Sequence, residues 1–105
     1  MSKDPPGRGE QDLADLDAVF GALAHQSRRT MLLVLHLRGG VMTSGEIAAR
    51  FDHSWPTTSR HLRVLQESGL VRWELRGRER VYSLDTERLG SVVQGWVDRF
   101  ARSPD

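Results

Sequence analysis

From residue 54 onward the chain carries Ser54, Trp55, Thr57, Ser59, Arg60 and Arg63 within ten positions, and Arg76, Arg78 and Arg80 follow a little further on. Hydroxyls and guanidiniums at this density suit recognition of a polyanion rather than bond breaking. An arginine can bridge two acceptors on a guanine edge or a phosphate, and a short hydroxylated side chain lets a helix approach closely. Residues 54–68 read as that helix. Ser54 stands where a cap is needed, and Pro56 falls in the first turn, where a missing N–H costs little. With Thr58, Leu62 and Leu65 turned inward, the opposite face shows Trp55, Pro56, Ser59, Arg60, Arg63 and Glu67. Such a face can enter a major groove about 12 Å wide, and the helix N-terminus adds N–H donors suited to a phosphate. Arg60, Arg63 and Arg78 are the strongest expected DNA contacts.

Composition narrows the alternatives. The chain has 105 residues, 15 basic and 14 acidic, with no cysteine, which implies one domain with one small core. Without cysteine, a disulfide scaffold, a thiolate zinc site, a thiol nucleophile and a dithiol switch all drop out. No nucleophile elbow, phosphate loop or metal motif arranges the serines, histidines and aspartates for catalysis, so the chain is not expected to be an enzyme. No uncharged run is long enough to cross a bilayer, the start lacks the apolar core of a signal peptide, and a cytoplasmic location with no membrane partner is expected. A net charge of +1 conceals an uneven distribution: residues 1–20 carry −3, whereas residues 50–80 carry +3 from seven arginines against four acids. One face can therefore meet an anion while the molecule as a whole stays nearly neutral.

The elements that must hold this face follow from periodicity. Residues 1–11, with two Pro and two Gly, read as a disordered tail ahead of a domain over 12–105. An acidic turn at Asp12 opens a helix striped by Leu13, Leu16, Phe20 and Leu23. A second helix, capped by Ser27 and stopped at Gly39, is apolar almost all round and is expected at the centre of the core. Thr43-Ser44-Gly45-Glu46 has capping-box spacing and opens a short helix over 43–51. After the helix over 54–68, which ends at Gly69, the period changes to two. Residues 71–75 and 80–84 alternate around a charged turn at 76–79, forming a β-hairpin. A last helix carries Leu89, Val92, Val93, Trp96, Val97 and Phe100. The expected fold is mainly α with a β-hairpin wing, in the order α-α-α-α-β-β-α, which is a winged helix-turn-helix.

Several runs resemble the ArsR family of bacterial transcriptional repressors: Leu23-Ala24-His25-Gln26-Ser27-Arg28-Arg29, Ser44-Gly45-Glu46-Ile47-Ala48, and the stretch from Ser54 through Ser59-Arg60-His61-Leu62 to Gly69-Leu70-Val71. Arg76-Gly77-Arg78 with Arg80-Val81-Tyr82 is similar to that family's wing. The resemblance spans residues 16–84. It implies a homodimer built on the first and last helices, an inverted-repeat operator in double-stranded DNA, and release by a signal. The residue pattern independently favours the dimer, because Leu13, Leu16, Phe20, Leu89, Val92, Val93, Trp96 and Phe100 give the terminal helices wider apolar stripes than so small a core needs.

The signal is not marked. Metal-sensing members of the family use Cys on the first motif helix or Asp/His sets on the last helix; here the former has no Cys and the latter no His. No metal or cofactor is expected, and an unidentified small molecule is the open choice of inducer. Two other readings stand beside this one: a metal-responsive repressor with an unusual His/Asp/Glu site, using His25 and His36 across a dimer, and a winged helix serving protein–protein assembly. Of the remaining groups, His61 is expected to pack and bond locally, His25 to sit at a helix start, and His53 to lie near phosphate. Trp73 is expected in the core. Arg28 and Arg29 divide evenly between phosphate contacts and a solvated helix start.

Overall fold

The computed structural model describes residues 8–101, and these form α1 (Arg8–Leu23), α2 (Gln26–Leu37), β1 (Val41–Thr43), α3 (Ser44–Arg50), α4 (Trp55–Glu67), β2 (Val71–Arg76), β3 (Glu79–Leu84) and α5 (Thr86–Ala101). The mainly α architecture with a hairpin wing is as expected, with one strand added. β1 lies between α2 and α3 and pairs antiparallel with β3, Met42 opposite Tyr82, giving the sheet order β1-β3-β2. A three-residue strand is too short to show a period of two, and its partner lies some forty positions away, so local patterning cannot reveal it.

Helix ends follow local chemistry closely. Both glycine stops are Schellman motifs. After α2, Gly39 and Gly40 adopt φ of +85° and +90°, and their N–H groups donate to His36 O and Leu35 O. After α4, Gly69 at φ +82° and Leu70 donate to Gln66 O and Leu65 O in the same way. Thr43 and Glu46 form a full capping box: Thr43 Oγ1 accepts the Glu46 N–H at 3.1 Å, and Glu46 Oε1 accepts the Thr43 N–H at 3.1 Å. The Thr43 N–H, followed by its side chain, holds the Glu46 carboxyl below the ordinary carboxylate value. Thr43→Ala should lower the unfolding free energy by about 1 kcal/mol; a urea midpoint equal to wild type would show that the cap does not hold the start of α3.

Three expectations are corrected. α1 starts at Arg8, so residues 8–11, assigned from composition to a tail, lie in the first helix; residues 1–7 lie outside the described residues. The N-cap of α2 is His25, not Ser27: the His25 Nδ1 accepts the Ser27 N–H at 3.1 Å, doing the work usually given to a hydroxyl. The predicted all-round burial of α2 is also incomplete. Met31, Leu32, Val34 and Leu35 are buried, while Leu33 and Leu37 stand 57% and 73% exposed.

The core draws Val19 and Ala22 from α1, four residues from α2, Met42, Ile47, Leu62, Leu65, Leu70, Val71 and Tyr82. α4 is thus held from below by Thr58, His61, Leu62 and Leu65, all buried. α1 and α5 pack on one another beside this core, and α5 has no fully buried residue. The radius of gyration of 16.1 Å exceeds the roughly 13 Å of a compact chain of this size, so the molecule is elongated.

Candidate nucleic-acid interface

Ser54 caps α4, and Pro56 sits in its first turn. Ser54 Oγ accepts the Thr57 N–H at 3.4 Å and donates to Thr57 Oγ1 at 3.1 Å, so both hydroxyls brace the helix start. Trp55 beside them is 43% exposed, Ser59 is half-buried, and Arg60 and Arg63 are exposed on the outer face. The inner face is the expected one, with His61 added.

The wing is the hairpin of β2 and β3, in a register that sets Arg76 opposite Glu79 and leaves Gly77-Arg78 as the two-residue turn. Gly77 has φ +64°. A glycine with positive φ at the first central position suits the right-handed twist of the strands. Along β2 the same face runs from fully buried Val71 through half-buried Trp73 to Leu75 at 62% exposed, so the hairpin leaves the core toward its tip.

The five predicted arginines differ in what holds them. Arg63 Nε pairs with Glu67 at 3.1 Å, and Arg76 with Glu74 at 3.1 Å, both at the exposed surface, where such pairs are weak and exchangeable. The Arg80 guanidinium lies 4.0 Å from the centre of the Trp73 ring. Arg60 and Arg78 have no ion pair among the described residues. Between α4 and the wing runs a cleft lined by Ser59, Leu62, Arg63, Gln66, Trp73, Arg80 and Tyr82.

A helix-turn-helix domain model matches residues 23–72. The transcriptional repressor SdpR of Bacillus subtilis is 33% identical over 90 residues, covering 86% of this chain and 97% of its own length. The crystal structure of an ArsR family transcriptional regulator, RHA00566, is 31% identical with a TM-score of 0.73, over 84% of this chain and 88% of that one. This chain belongs to the ArsR family.

It is therefore a DNA-binding transcriptional regulator of the winged helix-turn-helix type. In a further ArsR-type relative, a homodimeric winged helix-turn-helix DNA-binding domain from Mycobacterium bovis, the likeness reaches a TM-score of 0.70 at 25% identity, over 95% of this chain and 94% of that one. Within this ArsR-family chain several residues have roles that sequence alone did not assign. Arg28 and Arg29 donate to the last carbonyls of α1: Arg28 Nε to Ala22 O at 2.8 Å, its Nη2 to Gly21 O at 3.1 Å, and Arg29 Nη1 to Leu23 O at 2.7 Å. Cations at a helix C-terminus are favourable, which explains two arginines in the first turn of α2. Trp73, expected in the core, packs against its edge: it is half-buried and carries Arg80 on its face. Gln66 was missed as a lining residue of the cleft, since a lone glutamine late in a helix gives no local signal. His36 is exposed, and no group of three or more metal-ligating side chains converges as a site among the described residues.

The terminal helices present the second surface. Val19 and Ala22 make the inner face of α1, so Leu13 and Phe20 of the predicted stripe point outward. On α5, Leu89, Val92 and Val93 lean on the core, whereas Val97 and Phe100 are exposed, Phe100 to 72%. Trp96 and Phe100 meet edge to face at 5.0 Å. A cleft of about 260 Å³ between α1 and α5 is lined by Leu16, Val92 and Trp96 together with Asp12, Asp15, Arg88 and Arg99. Its charges are paired, Arg88 to Asp15 at 3.3 Å and Arg99 to Asp12 at 3.6 Å. Hydrogen bonds from Gln11 and then Arg88 hold the Asp15 carboxyl below its ordinary value. Arg88 Nε also donates to Ser68 O at 3.2 Å, tying α5 to the end of α4.

Proposed function

We propose that the chain is a repressor that binds an inverted-repeat operator as a homodimer, with α4 in the major groove and the wing over the adjacent minor groove. The observation that carries this reading is a pair of cations without an ion pair among the described residues, Arg60 on the outer face of α4 and Arg78 at the wing tip, flanking a hydroxyl-rich helix start. Ser54, Trp55, Thr57, Ser59, Arg60 and Arg63 lie nearest the DNA, with Arg60 reaching a base edge. Arg76, Arg78 and Arg80 follow the phosphates from the wing, and Arg80 acts from its seat on Trp73. Two copies join through Leu13, Leu16, Phe20, Leu89, Val92, Val93, Trp96 and Phe100. SdpR being a transcriptional repressor and the Mycobacterium bovis relative being homodimeric support this assignment. The work is done in the cytoplasm, where the DNA is, and DNA binding needs no metal. An unidentified small molecule that relieves repression would act through the cleft between α1 and α5, beside the dimer contacts.

Fluorescence anisotropy with DNA from just upstream of the gene, against a scrambled duplex and with chelator present, tests this. Tight binding that prefers the upstream duplex is expected. Neutralising six phosphates, three per protomer, should give a salt slope of about −5.4, or a loss on the order of a thousandfold from 50 to 200 mM salt. Equal, weak binding to both duplexes at every salt concentration would instead favour a role in protein–protein assembly.

A further inference from the structure

Three of the four histidines, distant in sequence, meet beside the recognition helix, His61 buried and His25 and His53 exposed. His25 comes from the turn between α1 and α2, His53 from the turn between α3 and α4, and His61 from the buried face of α4. The His61 ring centre lies 4.5 Å from that of His25 and 6.2 Å from that of His53. Arg28 reaches in from α2, its Nη1 3.3 Å from His61 Nδ1. Because a guanidinium can only donate, His61 Nδ1 must be the acceptor, and the ring is neutral with its proton on Nε2. Arg28 cannot move aside easily, because its Nε and Nη2 also donate to Ala22 O and Gly21 O. The His25 Nδ1 accepts the Ser27 N–H, and His53 Nε2 lies 3.3 Å from Ser27 Oγ.

The charged and titratable groups facing His61 are His25, Arg28, His53 and Arg60, and every one is cationic or becomes so in acid. Among the described residues no carboxylate is bonded to any of them, and Asp52, next to His53 in sequence, is exposed. A proton added to His61 therefore loses the Arg28 hydrogen bond, sets two cations about 3.3 Å apart in a partly buried position, and finds no bonded carboxylate among the described residues to relieve it.

We propose that His25, His53 and His61, gathered beside the immobilised Arg28, form a proton-sensing latch that seats the recognition helix on the α1–α2 turn at neutral pH and loosens it in acid. The latch concerns the folded chain, and its link to gene control rests on the DNA-binding role proposed above. Burial, then the charges of His25, Arg28, His53 and Arg60, push His61 below the ordinary histidine value of 6.5. The folded chain then binds fewer protons than the unfolded chain, so stability is complete above that value and is lost as pH falls from it toward the lower folded one.

The test is thermal unfolding of the full chain at fixed concentration, followed by circular dichroism between pH 7.5 and 5.5 with chelator and no DNA. The wild-type midpoint should fall by about 5 °C across this window. His61→Gln should flatten the fall. So should His25→Asn, which keeps an N-cap acceptor on α2 and removes the neighbouring ring; should His61→Gln fail to fold, His25→Asn decides alone. An equal fall in His25→Asn, or no fall in wild type, would overturn the latch. Stabilisation by added zinc at pH 7.5 that His25→Asn abolishes would overturn it in favour of a metal site. Because no DNA is present, failure of the latch is distinct from failure of operator binding, which the anisotropy experiment reads separately.

Discussion

Replacing Trp96 with alanine should turn the protein largely into a monomer and sharply weaken its grip on an operator. Phe100, 72% exposed, stacks edge to face on Trp96, and Val97, Leu13 and Phe20 extend an apolar surface that the single chain leaves in water. Large aromatic residues at the centre of such a surface carry a disproportionate share of association energy. A two-fold interface uses each residue twice, so a loss of about 2 kcal/mol per copy becomes about a thousandfold in the dimer dissociation constant. Operator affinity falls with it, since a monomer reaches one half-site where a dimer reaches two. Sedimentation velocity over a concentration series reads this directly. Trp96 also lines the cleft against α1, so Phe100→Ala serves as the companion variant: its side chain leaves little cavity within the protomer, and it should shift the same equilibrium. Sedimentation profiles unchanged in both variants would remove these helices from the interface.

Arg60→Ala should cost about 1–3 kcal/mol of operator affinity at each half-site, more than Arg63→Ala on the same face. Both side chains project from the outer face of α4, but Arg63 is already paired with Glu67 at 3.1 Å, and engaging DNA must exchange one partner for another. Arg60 has no such partner among the described residues and gains its contact outright. The pattern of loss matters as much as its size. A base contact relaxes preference at one position in each half-site, whereas a phosphate contact weakens all sequences alike and reduces the salt slope. Arg60→Lys should recover the charge but little of the specificity, because an ammonium cannot make the paired, in-plane contacts of a guanidinium. Titrating these variants against single-position operator substitutions distinguishes the outcomes. Uniform weakening would reassign Arg60 to the phosphates, and no weakening would remove it from the interface.

The residues that mark helix ends were readable because their partners are close in sequence. Thr43 and Glu46, Ser54 and Thr57, and the glycines after α2 and α4 satisfy backbone groups three to five positions away, and such chemistry needs no knowledge of the fold. The alternation on either side of Gly77 likewise announced the hairpin. The recognition helix and its inner face were therefore legible, with Thr58, Leu62 and Leu65 buried as its spacing implied.

What escaped is what depends on distant partners. β1 exists as a strand only because β3 lies beside it. Arg28 and Arg29 became caps for the helix before their own once the chain turned back at His25. Trp73 sits only at the edge of the core, with Arg80 stacked on its face, because the hairpin leaves the core toward its tip. By itself the sequence determined the order of the helices, the wing and the cationic outer face of α4, since propensity, capping and periodicity act over a few residues. Only the tertiary structure decided which arginines are spent on carboxylates or carbonyls and which stay free, and which apolar residues of α1, α2 and α5 face outward. It alone brought His25, His53 and His61 together, because electrostatics and burial depend on distances that only the folded chain defines.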